Sequence, residues 1–315
     1  MFRPLRPKHW KTMDNNTKKQ FAFTLIELLV VIAIIGILSA LIIVGMNSTT
    51  QKATIAKTQV FSNSLRNSLM GNLVSEWRLD NGSGTTATDS WSGGNTGTLT
   101  GFADTTAGYG DTHTSGWMSS SNCISGACLK FDGTDDYVNC GNGPSLDITT
   151  AITLSAWVKT VNSATVQMIA EKAPSPYSNG YNILSSSGQL QGRIYPNSIS
   201  STAVLSNGIW HYVVMSNQII TNGWNLYFDG VNVAQQNGVA ILTNAEMFYI
   251  GARASTQIPF TGLIDEVRIF NAAMSTSQIQ QNYFAGINKL LVKNLITTSD
   301  YNQRLVELSN NYVKE

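Results

Sequence analysis

The chain has 315 residues, enough for one or two domains and an anchor. Only 12% of them are charged, which is about half the average for soluble proteins. Ser, Thr, Asn and Gly supply much of the polar surface, as is common on extracellular β proteins. Residues 1–22 carry six basic residues and one acidic residue, within a net charge of +1 for the whole chain. Because the basic cluster lies in this leader, the composition gives no indication of nucleic-acid binding.

The first predicted element is an apolar segment over 23–46, which contains one charged residue, Glu27. As a helix it would rise about 36 Å, enough to cross a hydrocarbon core of about 30 Å. The basic residues before it are expected to stay in the cytoplasm while the rest crosses. An ordinary signal anchor would explain the apolar length. It would not explain the carboxylate, since an acidic side chain in a membrane helix costs at least about 2.5 kcal/mol and usually marks a function.

The residues around the start of this segment form a motif. Lys18 and Lys19 precede a small residue, Ala22, and the string Phe-Thr-Leu-Ile-Glu then runs from Phe23 to Glu27. The arrangement resembles the leader of type IV pilins and pseudopilins. The resemblance implies that a prepilin peptidase cuts between Ala22 and Phe23 and that Phe23 becomes the N-methylated terminus. Ala22 stands where that family usually has glycine.

Glu27 is predicted to act in assembly. In a packed filament its carboxylate would meet the terminal amine of Phe23 in a neighbouring subunit, and this pairing would favour one register between helices. A helix-compatible sequence without proline, with an amphipathic stripe, continues beyond the membrane segment. The sequence therefore predicts a leader over 1–22 and a pilin-type helix over 23–76, of which 23–46 spans the membrane.

The following region is predicted to be a β domain. Residues 81–121 are rich in Gly, Ser and Thr but contain several aromatic residues, so we interpret them as its loop-rich opening rather than a disordered linker. Residues 152–159 alternate with a period of two, and Asp229-Gly230 is typical of a hairpin turn. Further strands are predicted at 129–131, 137–140, 166–170, 181–185, 190–195, 210–216, 224–228, 231–234, 247–251 and 263–270. Many short strands without alternating helices favour an antiparallel sandwich.

Four strings in this region resemble the laminin-G-like, concanavalin A-like jelly-roll family. They are Leu-Lys-Phe-Asp-Gly-Thr-Asp-Asp-Tyr-Val from Leu129, Trp-His-Tyr-Val-Val from Trp210, Leu-Tyr-Phe-Asp-Gly from Leu226 and Gly-Leu-Ile-Asp-Glu-Val-Arg-Ile-Phe from Gly262, in the family's order. The resemblance implies a mainly β, antiparallel jelly-roll sandwich over 77–285. It does not identify a ligand, because this fold hosts many functions.

Residues 286–315 are predicted to form a short helical hairpin. Apolar residues recur at helical spacing over 287–295 and again over 301–312. Thr298 or Ser299 is the expected cap of the second helix. The sequence leaves open whether the hairpin packs on the sandwich, packs on the N-terminal helix or extends as an arm.

The chain has three cysteines, Cys123, Cys128 and Cys140. An odd number in an exported chain implies one pair and a spare thiol, or an intermolecular bond. We expect a disulfide between Cys123 and Cys128, since Gly126 can turn the short loop between them, and we expect Cys140 to be buried in a strand. The cysteines and the three histidines lack the spacing of a zinc site.

No catalytic constellation is evident, and we expect a protein that is not an enzyme. Glycoside hydrolases related to the jelly roll need two carboxylates that flank the scissile bond, and their Glu-x-Asp strand pattern has no counterpart here. Asp265 and Glu266 are adjacent, so on a regular strand they would point to opposite faces. His211 has no Ser or Cys partner in view and is interpreted as structural.

Calcium is the cofactor that the second resemblance implies, since many laminin-G-like sandwiches carry one ion held by six to eight oxygens. The candidate ligands are Asp89 and Asp265, and the alternative is the cluster Asp132, Asp135 and Asp136, whose residues are also typical of a turn. A carbohydrate site would need exposed aromatic side chains, although most aromatic residues of a sandwich lie in its core. The sequence offers Trp91, Tyr177, Tyr181, Tyr195 and Trp224.

Together these features predict a type IV pilin-like subunit of a filament or pseudopilus with a laminin-G-like head for adhesion or carbohydrate binding. Its expected partners are a prepilin peptidase, other pilin subunits through the N-terminal helix, the membrane and a carbohydrate, but no nucleic acid. It would start as a single-pass protein of the cytoplasmic membrane with its head outside and then join a surface filament. The alternatives are an anchored binding protein that never polymerises and a minor pseudopilin of a secretion or DNA-uptake system with a structural head.

Overall fold

A computed structural model describes the chain over residues 70–91, 94–161, 165–174, 178–205, 208–253 and 258–312. The predicted leader, the cleavage site at Ala22 and Phe23, the membrane segment over 23–46 and Glu27 lie outside these residues. Within them, no helix combines the length and the apolar character that a membrane crossing requires.

The described chain folds into two antiparallel β-sheets and two C-terminal helices, which confirms the predicted fold class for this part of the molecule. The strands are β1 (Leu73–Trp77), β2 (Thr86–Ala87), β3 (Gly97–Thr100), β4 (Gly116–Met118), β5 (Cys128–Asp132), β6 (Tyr137–Asn139), β7 (Ala151–Thr160), β8 (Gln167–Lys172), β9 (Tyr181–Ser186), β10 (Gln189–Ile194), β11 (Asn197–Val204), β12 (His211–Gln218), β13 (Trp224–Phe228), β14 (Val231–Gln236), β15 (Tyr249–Ile250) and β16 (Thr261–Phe270). The helices are α1 (Thr276–Val292) and α2 (Thr298–Tyr312).

The strands alternate between the sheets in the manner of a jelly roll. Sheet A has the order β14-β13-β12-β7-β16-β5-β4, with β1 also paired to β16, and sheet B has the order β11-β10-β9-β8-β15-β6-β3-β2. After β7 in sheet A the chain makes a four-stranded meander in sheet B, β8 to β11, and returns to sheet A for β12 to β14. The hairpin predicted at Asp229-Gly230 joins β13 to β14.

The main core lies between the sheets. On sheet B one row of core residues pairs from strand to strand: Leu99, Val138, Ile250, Ala170, Ile183 and, beyond Gly192, Ile199. Leu154, Ala156 and Val158 of β7 face this core from sheet A. Side chains alternate along a strand, so the neighbours of these residues lie on the outer faces of the sandwich.

A second core lies on the outer face of sheet A, beneath the two helices. Trp157 of β7 stacks on Tyr283 of α1, with ring centroids 5.8 Å apart, and packs against Tyr212 of β12. A Cβ at position 286 would overlap the Trp157 ring, so Gly286 allows α1 to approach the sheet closely. Leu308 brings α2 into the same core. The helical hairpin therefore packs on the sandwich, and β7 is buried on both sides.

The structure corrects the predicted beginning of the head. The N-terminal helix was expected to reach residue 76, but Met70–Asn72 is a 3-10 turn and Leu73–Trp77 is a strand. All five residues of this strand are buried, and Leu73 pairs with Phe270 of β16. Tertiary pairing outweighs the helical compatibility of the local sequence.

The predicted C-terminal hairpin also needs two corrections. Its first helix begins ten residues earlier than expected, at Thr276, because Ser275 and Gln278 form a capping box. The second helix is capped by Thr297 instead of Thr298 or Ser299. The Thr297 hydroxyl accepts a hydrogen bond from the Asp300 amide (3.1 Å), and the Asp300 carboxylate accepts one from the Thr297 amide (3.0 Å).

The predicted disulfide and the predicted burial of Cys140 are confirmed, although Cys140 lies just outside a strand. Cys123 and Cys128 form a disulfide, with Cα atoms 5.5 Å apart. Cys140 is a free, buried thiol directly after β6. Burial raises the pKa of this thiol, which keeps it protonated and unreactive.

Candidate functional site

The outer face of sheet B is the candidate functional site, since the described helices pack on sheet A and leave this face uncovered by a helix. Its central feature is a polar row of paired residues, each next to a core residue in sequence and therefore pointing outward. The polar row consists of Thr98, Asn139, Tyr249, Glu171, Asn182, Arg193 and Ser198. It crosses seven strands, β3 to β11, without an aliphatic residue.

A buried network stands at the centre of the polar row. Asn182 donates through Nδ2 to Glu171 Oε2 (2.7 Å) and to the Tyr195 hydroxyl (3.1 Å). Arg253 donates through Nε to both Glu171 oxygens (3.1 and 3.0 Å) and through Nη2 to the Tyr195 hydroxyl (2.8 Å). All four side chains are buried. Burial raises the pKa of Glu171, and the positive charge of Arg253 opposes that rise.

The Asn182 side chain also carries an unmet acceptor, because its Oδ1 is buried without a hydrogen-bond partner. A buried amide oxygen of this kind favours a donor such as a hydroxyl group or a water molecule. The network therefore holds several planar polar groups in fixed positions at the middle of the face. One acceptor, Asn182 Oδ1, has no partner.

On one side of the network the face presents a cationic and amide group. Arg193 is half-buried, and its guanidinium donates to Gln191 Oε1 (3.0 and 2.7 Å) and to the Tyr195 hydroxyl (3.3 Å). Gln191 in turn donates to Ser200 Oγ at 2.7 Å. These contacts hold a planar guanidinium and a planar amide in defined orientations at the surface.

On the other side the face presents an aromatic pair. Tyr137 and Tyr249 meet edge to face, with ring centroids 5.7 Å apart and an interplanar angle of 82°. Both rings are half-buried, so part of each is available to solvent. Partial burial raises the pKa of the Tyr249 hydroxyl, which stays a neutral donor at physiological pH.

The five aromatic residues proposed from sequence as sugar-binding candidates lie in different environments. Tyr181 and Trp224 are core residues, 2% and 0% exposed, and Trp91 packs at the edge of the second core. Tyr195 is the one that the structure places in the network of the candidate site, while Tyr177 lies outside the described residues.

Sequence reasoning missed Tyr137, Tyr249, Arg193, Arg253 and Glu171. Alternation of polar and apolar residues over 189–194 was the available signal for the outward orientation of Gln191 and Arg193.

The carboxylates proposed for calcium have other partners. The two oxygens of Asp89 accept hydrogen bonds from the amides of Glu76 (3.0 Å), Trp91 (3.0 Å) and Asn95 (3.1 Å). Asp265 is fully buried, and its Oδ2 accepts hydrogen bonds from the amides of Ile124 (2.8 Å) and Ser125 (3.2 Å). Calcium binding by Asp89 and Asp265 stays a prediction, and these contacts do not supply a coordination shell for it.

The alternative acidic cluster is held by turn contacts. The carboxylate oxygens of Asp132, Asp135 and Asp136 lie within 4.8 Å of one another. Asp132 accepts a hydrogen bond from the Thr134 amide (2.7 Å), and Asp136 accepts them from the Asp132 amide (2.7 Å) and the Ser115 hydroxyl (3.2 Å). Burial, with a smaller contribution from the Asp132 charge, raises the pKa of Asp136 to about 7. The contacts are those of a turn between β5 and β6.

Two further expectations concern catalysis. His211 is nearly buried, and its Nδ1 lies 2.8 Å from Asp229 Oδ2, while Asp229 Oδ1 accepts a hydrogen bond from the Tyr212 amide. These contacts join β12 to the turn after β13, as expected for a structural histidine.

The expectation that Asp265 and Glu266 point to opposite faces is wrong. A β-bulge with Glu266 at φ 51° interrupts the alternation, and both carboxylates contact residues on the outer side of sheet A.

Comparisons with known proteins agree with both resemblances. Residues 17–43 match the prokaryotic N-terminal methylation motif, and residues 132–280 match the concanavalin A-like lectin/glucanases superfamily. No curated protein shows significant similarity to the chain.

Solved structures share the fold at low sequence identity. One is domain 4 of AbnA, an extracellular arabinanase from Geobacillus stearothermophilus, solved with arabinotriose (TM-score 0.51, 20% identity, covering 66% of this chain and 97% of that one). Another is the binding domain of Paraclostridial Mosquitocidal Protein 1 (TM-score 0.52, 13% identity, 70% of this chain and 53% of that one). A third is Trypanosoma rangeli sialidase in complex with sialic acid (TM-score 0.50, 14% identity, 68% of this chain and 33% of that one). The chain thus spans about half and about a third of the last two.

The family models identify two parts of the chain, and the solved structures share the fold of the second part, at identities too low to indicate a ligand. The chain joins a prokaryotic N-terminal methylation motif to a concanavalin A-like domain of the lectin and glucanase type.

Proposed function

We propose that the protein is a type IV pilin-like subunit whose head binds carbohydrate on the outer face of sheet B. The observation that carries the proposal is the difference between the outer faces. The helical hairpin covers the outer face of sheet A, whereas no helix of the described residues lies over the polar row of sheet B.

The chemistry of the face suits a sugar. Saccharides are recognised by partly exposed aromatic rings together with planar polar groups that bond several hydroxyls at once. Tyr137 and Tyr249 supply the rings, and Arg193 and Gln191 supply the planar groups. The arabinanase domain that shares the fold was solved with arabinotriose, which supports carbohydrate as the first ligand class to test.

Binding of a saccharide panel to the full chain in detergent tests this proposal. Tyr249→Ala and Arg193→Ala should each weaken binding about tenfold or more, the equivalent of one lost stacking or charged hydrogen-bond contact. Tyr109→Ala is the matched control, because Tyr109 is also half-buried but stacks on His113 away from sheet B. Silence across the panel, or an equal loss in the Tyr109 variant, would refute the proposal.

The N-terminal motif supports filament assembly. A prepilin peptidase is expected to cleave the chain between Ala22 and Phe23. The mature subunit would then be extracted from the cytoplasmic membrane into a surface filament or pseudopilus. The proposed organisation is a leader over 1–22, a pilin-type helix from 23, and a head that carries the hairpin as part of its own core. Glu27 is proposed to set the register between subunits, through the amine of a neighbouring Phe23.

Intact mass and one substitution test this part. A mature chain that begins at Phe23, with or without one methyl group, supports prepilin processing, whereas retention of residues 1–22 supports a plain anchor. Glu27→Val should leave insertion and cleavage unchanged and reduce filament incorporation. Filaments with the normal content of the Glu27→Val protein would contradict the assembly role.

A further inference from the structure

The described strands of sheet B carry few charged side chains. They contain one acidic residue, Glu171, and two basic residues, Lys172 and Arg193. Lys172 follows Glu171 in β8, so its side chain points away from the outer face, and its buried Nζ pairs with Asp147 Oδ1 at 3.0 Å. Glu246 precedes β15, which lies three strands, or about 14 Å, from β10. Glu171 and Arg193 are therefore the charges that these strands place on the outer face.

Glu171 already has a positive partner. Arg253, from the segment after β15, donates through Nε to both oxygens of the Glu171 carboxylate (3.1 and 3.0 Å), and both side chains are buried. Burial raises the pKa of Glu171, and Arg253 opposes that rise more than Arg193 does. The buried ion pair is neutral as a unit. Arg193 therefore adds one positive charge to the outer face that this pair does not balance.

The neighbours of Arg193 on the sheet are uncharged. Asn182 of β9 and Ser198 of β11 lie opposite it on the two adjacent strands. Gln191 and Tyr195, two residues before and two residues after it, accept hydrogen bonds from its guanidinium. Within the described residues, no carboxylate oxygen lies within 4 Å of this guanidinium. In this part of the chain, the charge of Arg193 therefore has no acidic partner.

Arg193 also keeps hydrogen-bond donors for a ligand. A guanidinium has five N–H groups, and three of them are used here, since Nε and Nη2 donate to Gln191 Oε1 (3.0 and 2.7 Å) and Nη1 donates to the Tyr195 hydroxyl (3.3 Å). The two that remain belong to Nη1 and Nη2, and a carboxylate can accept from both at once. The guanidinium lies over the Tyr195 ring, with Cζ 6.0 Å from the ring centroid, which supports its orientation. Arg193 is half-buried, and Ser198 and Ser200 beside it are exposed.

We infer that Arg193 recognises the carboxylate of an acidic saccharide, such as a uronic-acid unit, on the outer face of sheet B. The inference rests on the proposed function and adds the class of sugar. The carboxylate of the ligand accepts hydrogen bonds from Nη1 and Nη2 and balances the charge of Arg193, and the exposed hydroxyls of Ser198 and Ser200 lie beside it for the hydroxyls of the sugar. A neutral sugar can bond the same N–H groups, but it would cover a positive charge without balancing it, and removing an unpaired charge from water is costly.

Two ligands that differ only in charge test this inference. The probes are an oligogalacturonate and its fully methyl-esterified form, each titrated against the full chain in detergent. The acid form should bind at least about tenfold more tightly than the ester, as expected for charged hydrogen bonds. This difference should shrink as the salt concentration rises, because the contact is at the surface.

Three substitutions locate the preference. Arg193→Gln should lower the affinity for the acid form about tenfold and that for the ester by less, so that the preference is lost while ester binding shows that the variant is folded. Arg193→Lys should keep part of the preference, because it retains the charge but not the planar arrangement of donors. Arg78→Gln is the matched control. Arg78 is also partly exposed, but it follows β1 of sheet A and pairs with Glu76, so its loss lowers the net charge without changing the preference.

The outcomes separate this inference from the proposal on which it rests. Equal affinity of the wild-type chain for the two forms, a preference that survives Arg193→Gln, or an equal loss in Arg78→Gln would overturn the inference while carbohydrate binding stands. Binding of neutral saccharides alone would do the same. Silence toward acidic and neutral saccharides alike would refute the proposed function and this inference with it.

Discussion

The two outer faces of the sandwich differ in how their side chains are shielded from water. The outer face of sheet A carries Trp157, Tyr212 and Tyr227, and these large side chains are removed from water by α1 and α2. The outer face of sheet B carries the polar row, and its buried charges, Glu171 and Arg253, form an ion pair that hydrogen bonds from Asn182 extend. The comparison shows that the outer face of sheet A is buried beneath helices, and it underlies the proposal that the outer face of sheet B serves recognition. Four experiments test how the two sheets contribute to stability.

The largest effect is expected from removing the cover of sheet A. A chain that ends at residue 275 would expose the second core, and the buried aromatic residues alone represent several losses of about 1.5–3 kcal/mol. Their sum is comparable to the whole stability of a typical domain, so we expect loss of the cooperative unfolding transition and strong binding of an apolar dye. A chain that lacks only residues 313–315 is the control. A cooperative, wild-type transition in the chain ending at 275 would show that the hairpin is an accessory arm.

The next effect compares one aromatic residue from each face. Trp157→Ala should lower the free energy of unfolding by about 3–5 kcal/mol, because it leaves a cavity between β7 and α1. Tyr249→Ala, on the half-exposed side of sheet B, should cost about 1 kcal/mol or less. Denaturant titration of both variants measures the difference. Equal losses would mean that the two faces contribute alike to stability.

The buried ion pair of sheet B provides a third test. Arg253→Met leaves Glu171 buried without its charge partner, and we expect a loss of about 3 kcal/mol. Combining Arg253→Met with Glu171→Gln should recover part of this loss, since the second change removes the unpaired charge. If the double variant is less stable than Arg253→Met, the network acts through shape rather than charge.

The smallest effect concerns pH at the turn that joins β5 of sheet A to β6 of sheet B. Burial raises the pKa of Asp136 from 3.8 to about 7, so the folded state holds its proton more tightly than the unfolded state. Stability should therefore fall as pH rises from about 4 to 7. The full shift corresponds to about 4 kcal/mol, and we expect about half of that because solvent screens a group in a turn. Asp136→Asn should flatten this dependence in denaturant titrations at a series of pH values. A wild-type slope in the Asp136→Asn protein would assign the effect to another group.

Much of the head could be predicted from residue pattern. Alternation over 152–159 and the Asp229-Gly230 turn located β7 and the β13–β14 hairpin, because they depend on neighbours along the chain. The strands β1, β2, β3, β4 and β11 were missed. Most are short, and β11 is rich in serine, so their local sequence does not distinguish a strand from a loop. They form because a neighbouring strand offers unpaired backbone groups.

The candidate site was harder to predict than the fold. Tyr195 was proposed from sequence, but Glu171, Asn182 and Arg253 come from separate parts of the chain and meet only because β8, β9 and the segment after β15 are neighbours in sheet B. Tyr181 and Trp224 were proposed with the same reasoning and proved to be core residues. A strand pattern shows that side chains alternate, but it does not show which of the two faces is covered.

The sequence by itself determined the export motif, the jelly-roll class, the Cys123–Cys128 disulfide and the presence of a C-terminal helical hairpin, since each depends on composition, order or short spacing. Only the tertiary structure decided that the hairpin covers sheet A, that a bulge turns Asp265 and Glu266 to the same side, and that Lys293 reaches the disulfide loop. These features join residues that are far apart along the chain. Their positions are set by packing and by the pairing of buried charges, and local sequence patterns do not predict either of these.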